Sequence, residues 1–81
     1  MAKVIFAAEM RQLTGGIEQA QVEATTYRRA LRELKQQFPQ LSENIFEKFA
    51  LAIDGVMIQT PLMETFDANS EVVFVPKIPS G

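Results

Sequence analysis

The stretch TTYRRALRELKQQFPQL, residues 25–41, constrains the fold more than any other part of the chain. Its apolar residues Tyr27, Ala30, Leu31, Leu34 and Phe38 fall at i, i+3, i+4, i+7 and i+11, which places them on one face of an α-helix. Thr25 or Thr26 supplies a side-chain oxygen to cap its start. Pro39, with no backbone N–H and a bias against helix in the residue before it, ends it. A single amphipathic helix must bury its stripe against something, and the rest of the chain offers strands.

On the amino-terminal side, Ala2 to Glu9 (AKVIFAAE) is short, β-branched and aromatic and reads as a strand. Its parity places Val4, Phe6 and Ala8 on one face and Lys3, Ile5 and Ala7 on the other. Leu13 to Gly16 (LTGG) is a turn, and Ile17 to Ala24 alternates imperfectly, as an edge strand does. After the helix, Ser42 to Phe46 reads as a short helical turn. Phe49 to Ile53 and Val56 to Gln59 flank Asp54-Gly55, a favoured two-residue hairpin turn. Asp67 to Glu71 (DANSE) is a polar turn, and Val72 to Pro76 a final strand expected beside the first. The order predicts an α+β roll: a mixed sheet of four to five strands with one main helix packed on one face.

Eighty-one residues make one domain, expected to span residues 1–81 with a projecting tail from Pro76 to Gly81. The chain has no cysteine and no histidine, so the commonest covalent and acid–base catalysts are missing and no thiolate metal site can form. A net charge of −2 leaves no electrostatic footprint for nucleic acid or an anionic membrane. The apolar run at the amino terminus is too short for a signal peptide and contains Glu9, and nothing approaches the ~20 residues of a membrane span. The expectation is a cytoplasmic protein that holds no metal. Of its groups, the terminal carboxylate of Gly81 is the candidate left for chemistry. Arg28, Arg29, Arg32 and Lys35 read as a solvated helix face beside Glu33.

Three segments together, KVIFAA near the start, ALAIDGVMIQTPL in the middle and EVVFVPKIPSG at the end, give the chain a familiar look. It resembles the ubiquitin-like β-grasp proteins, and among them the small sulfur-carrier subunit of molybdopterin synthase and the related thiamin sulfur carrier. The resemblance implies that a ubiquitin-activating-type adenylating enzyme uses ATP to activate the Gly81 carboxylate. A sulfur donor then makes the thiocarboxylate, and the tail delivers sulfur inside the synthase large subunit, in molybdenum cofactor biosynthesis. The chain would be a co-substrate, not catalytic alone and with no cofactor of its own. Lys77, Ile78, Pro79 and Ser80 would thread the partner. Prolines pre-set an extended backbone there, and a terminal residue without Cβ obstructs attack least. Relative to the family ending, Lys77 replaces a proline, Pro79 is added and Ser80 stands in place of a glycine. Two alternatives remain open: a carrier for thiamin or another sulfur-containing metabolite, and a β-grasp interaction module without carrier chemistry.

Parity also predicts a docking surface. With Val4, Phe6, Leu51, Ile53, Val72 and Phe74 toward the helix, Ile5, Ala7, Ala50, Ala52, Val73 and Val75 point outward. Met57 joins them if Val56 and Ile58 point inward. One helix covers one side of the sheet, so this apolar second side awaits a partner.

Overall fold

The helical stripe forms where its spacing predicts. In a computed structural model of the chain, which describes residues 1–58 and 63–77, α1 spans Tyr27–Gln37 and buries Tyr27, Ala30 and Leu34. Thr26 is the N-cap, its hydroxyl accepting the Arg29 N–H; Phe38, ahead of Pro39, has left the helical region at φ −132°, ψ 85°. A one-turn helix α2, Glu43–Phe46, follows.

The described residues also form five strands: β1 Ala2–Ile5, β2 Gln19–Val22, β3 Phe49–Ile53, β4 Val56–Ile58 and β5 Glu71–Pro76. They form one sheet in the order β2-β1-β5-β3-β4. β1 and β5 run parallel at its centre, and every other pairing is antiparallel. The last strand therefore lies beside the first, and it buries Val72 and Phe74 while leaving Val73 and Val75 half-buried. Phe74 sits among aromatic rings, with Phe46 at 5.6 Å, and Phe6 and Phe49 both at 6.4 Å between centroids. Phe6 in turn meets Phe38 edge-on at 5.4 Å. These pairs, with Val4, Leu34, Leu41 and Leu51, make a single core between sheet and helices.

Three expectations need correction. The strand predicted through Glu9 stops at Ile5, although Phe6 still donates its N–H to the Glu18 carbonyl at 3.0 Å. Ala8–Gln12 is a 3-10 helix, which leaves Ala8 exposed and turns Met10 fully into the core. Burying one long thioether there outweighs the period-two pattern of small alanines before it. The second strand is shorter than Ile17–Ala24: Ile17 is exposed beside the turn, and the Glu23 and Ala24 N–H groups donate to the Glu33 carboxylate at 2.8 and 2.7 Å instead of to a strand. Finally, Val56 was expected inward but is exposed, because its row runs to the sheet edge beyond the reach of the core.

Candidate docking face and carboxyl-terminal strand

The hairpin turn sets the geometry of the face that the helices leave open. Asp54 and Gly55 both have positive φ, 49° and 86°, as a tight two-residue turn with the twist of the strands requires. Asp54 is also locked to β5. Its N–H donates to the Glu71 carbonyl and its Oδ1 accepts the Glu71 N–H, both at 2.9 Å. The Glu71 N–H, and after it the Ser70 hydroxyl, hold the Asp54 carboxyl below its ordinary value of 3.8. Ser70 is itself buried, its oxygen accepting the Asp67 N–H at 2.9 Å. The turn thus ties β3, β4 and β5 into one register, and a one-residue slip would move every side chain to the other face.

That register brings the predicted outward residues together. Ile5 stands opposite Val73, Val73 opposite Ala52, and Ala52 opposite Met57, a continuous row across four strands. Val75 stands opposite Ala50 in the next row. Met57 is 50% exposed, and Ile5, Ala52, Val73 and Val75 are half-buried. Ala50 is fully buried yet lies outside the core cluster, as its place on the far side of the sheet demands. On the β2 side the apolar row gives way to exposed Gln19, Gln21, Lys3 and Glu71. Ala7 does not share this face. It lies past the end of β1 at the start of the 3-10 helix, where it packs against the core and its carbonyl accepts the Met10 N–H at 2.9 Å.

β5 leads from this face toward the carboxyl end. Pro76 is its last residue, opposite Phe49, and the Lys77 N–H still donates to the Lys48 carbonyl at 3.3 Å. Lys77 is exposed. The other predicted tail residues, Ile78, Pro79, Ser80 and Gly81, lie outside the described residues. Among the described residues, no group of three or more acidic side chains is placed to hold a metal ion, and no helix is long and apolar enough to cross a membrane.

Sequence reasoning missed Glu33, whose carboxylate ties α1 to the chain entering it. A lone acid among helix arginines reads as their counter-charge, and only the loop folded against it reveals the other role. It missed Leu41 and Phe66 as core residues for a similar reason, since both lie in irregular segments without a period.

One helix laid on a five-stranded mixed sheet with parallel central strands defines a ubiquitin-like β-grasp fold. Solved structures bear this out. The crystal structure of SAMP1 from Haloferax volcanii superposes with a TM-score of 0.71 over 99% of this chain and 98% of that one, at 19% identity. A putative molybdopterin converting factor, subunit 1, from Pyrococcus furiosus gives 0.69 over 95% and 97%, at 21% identity. At such identities the likeness is one of fold. No family model and no curated protein sequence matches the chain.

Proposed function

We propose that this protein is a sulfur carrier of the molybdopterin-synthase type. Its Gly81 carboxylate attacks the α-phosphate of ATP in an adenylating enzyme and releases pyrophosphate. A sulfide-equivalent donor then displaces AMP, leaving a terminal thiocarboxylate that gives its sulfur to a pterin precursor in the synthase large subunit. The observation that carries the reading is the apolar row Ile5–Val73–Ala52–Met57 on the side of the sheet away from the helices, which includes a residue of β5, the strand from which the carboxyl-terminal segment follows. A carrier needs such a face, because docking must place a short arm in a partner's active site. The end-to-end likeness in fold to SAMP1 and to a putative molybdopterin converting factor subunit supports the scaffold that such a carrier requires.

The departures at Lys77 and Ser80 favour one other reading, a module that docks by the same face and performs no chemistry. Incubating the protein with ATP, an adenylating enzyme and a sulfur donor, then measuring intact mass, separates the two. Replacement of one oxygen by sulfur supports the carrier. An unchanged mass with partners that thiocarboxylate another carrier refutes it.

A further inference from the structure

A second face of the molecule carries charge where the outer sheet face carries apolar area. Arg28, Arg29 and Arg32 line a groove of about 550 Å³ between α1 and the segment around Met63, Glu64 and Thr65. That segment is fastened to the helix start: the Tyr27 N–H donates to the Glu64 carbonyl at 3.0 Å, and the Phe66 N–H to the Thr25 carbonyl at 2.8 Å. All three arginines are exposed, and Met63 on the opposite wall is 81% exposed.

Among the described residues no acid is ion-paired with these cations, and that includes Glu64, which lines the same groove and is the one acid a docking carboxylate would face there. Glu33 is committed to the Glu23 and Ala24 N–H groups, and Glu43 pairs with Lys35 at 3.0 Å. Among the described residues the ion pairs are Lys35–Glu43 and Arg11–Glu18, so none of the three arginines has a carboxylate partner. Arg28 and Arg32 stand one helical turn apart, a spacing at which like charges repel. An acidic chain, at net −2, therefore gathers three guanidinium groups with no carboxylate partner among the described residues over a groove to which Met63 adds an apolar side chain.

We propose that this groove docks an acidic segment of a partner protein, with carboxylates on Arg28, Arg29 and Arg32 and an apolar side chain against Met63. Arginine clusters recognise acidic motifs through forked hydrogen bonds. Free phosphate would leave the Met63 side chain without a contact, and nucleic acid carries a charge on every nucleotide, more than three arginines on an acidic chain neutralise. The site is independent of any chemistry at Gly81.

The test titrates the full chain, labelled for NMR, with a short peptide of alternating glutamate and leucine. Parallel titrations use the same peptide with glutamine for glutamate, inorganic phosphate, and a single-stranded oligonucleotide. The expected result is saturable shifts at Arg28, Arg29, Arg32 and Met63–Thr65 with the glutamate peptide alone. Affinity should fall by about tenfold in R28E/R32E, as loss of two exposed charge pairs implies, and rising salt should weaken binding. R28Q/R32Q, which keeps side-chain bulk, should weaken it less, and carries the comparison if the reversal unfolds the chain. The proposal is overturned if the glutamate peptide produces no shifts, if the glutamine peptide binds equally, or if neither arginine variant loses affinity. It is equally overturned if the shifts fall on Ile5, Val73 and Met57, or if phosphate or oligonucleotide binds the arginines more tightly than the peptide.

Discussion

Alanine substitutions along Val72, Val73, Phe74 and Val75 should give stability losses that alternate large, small, large, small. The four residues are consecutive on one strand; all pair with β3, and Val72 and Val73 pair with β1 as well. The face alternates within each of these pairs: Val72 and Phe74 are 3% exposed within the core, while Val73 and Val75 sit half-buried on the open side. Val72→Ala removes two buried carbons and leaves a cavity, a loss of about 1.5–3 kcal/mol. Phe74→Ala empties the space among Phe6, Phe46 and Phe49 and should cost roughly 3–5 kcal/mol. Val73→Ala and Val75→Ala retain most of their solvent contact in either form and should cost about 1 kcal/mol or less, part of it strand propensity. A domain of this size holds about 4–12 kcal/mol in total, so Phe74→Ala brings the fold near its limit, whereas Val73→Ala leaves it intact. Urea unfolding monitored by circular dichroism measures all four, with a constant denaturant slope as the check that one transition is compared. Equal losses at the four positions, or the larger losses at Val73 and Val75, would refute the register on which the docking face rests.

The docking face itself predicts that Met57→Asp, at a half-exposed edge position, changes stability by about 0.5 kcal/mol or less while abolishing sulfur transfer from the thiocarboxylate to the precursor in the synthase large subunit; undiminished transfer with an unchanged melting temperature would remove Met57 from the interface. Asp54 gives a pH signature. Its folded-state carboxyl is held below the ordinary 3.8, so its stabilising contribution is complete above that value and disappears as pH falls through the lower folded one. The stability gap between the native chain and Asp54→Ala should accordingly be level above pH ~4 and narrow below it, down to the pH-independent cost of alanine at positive φ; a gap that does not change between neutral pH and strong acid contradicts the hydrogen bond to Glu71 as a source of stability. In the tail, Ser80→Gly should preserve or accelerate adenylation, whereas Ser80→Val should nearly abolish it by adding β-branched bulk beside the reacting carbonyl. Equal adenylation rates for the valine variant and its parent would exclude a narrow channel.

The fold was legible where one local rule acted without competition. The helical stripe from Tyr27 to Phe38 had a single period, Asp54-Gly55 a single favoured turn, and β3 the bounds Phe49–Ile53 that its β-branched and aromatic residues suggested. It was illegible where a side chain's role depends on which segment folds against it. Nothing local tells the AAEM run to leave the strand, since the reason is the space that Met10 fills in the core. Val56 has the parity of an inward residue and lacks only a cover. The site divides the same way. Ile5, Val73 and Met57 followed from alternation, whereas the arginine groove required knowing that Glu33 turns toward the Glu23 and Ala24 amides. The role of Ile78 to Gly81 rests on sequence alone.

The root of the arm limits what any partner can look like. The Lys77 N–H remains bonded to Lys48, and in the proposed carrier reading Ile78, Pro79, Ser80 and Gly81 run from that anchor to the reacting carboxylate. Four residues span at most about 13–14 Å when fully extended. Val75, on the docking face, lies two positions before the anchor, and the row through Val73 lies two further back. A partner that grips the apolar face therefore fixes the anchor to within a side chain's play, and its reacting centre must lie within that short radius of its own footprint. A longer or looser arm would relax the requirement and lower the effective concentration of the carboxylate at the target. Holding Lys77 to Lys48 does the opposite: in the carrier reading it shortens the stretch that must thread, and Pro79 would remove conformations that threading would otherwise have to freeze. In this reading the sheet is a ruler as well as a core, and the register set by Asp54 and Gly55 positions both the surface that docks and the strand from which the arm leaves.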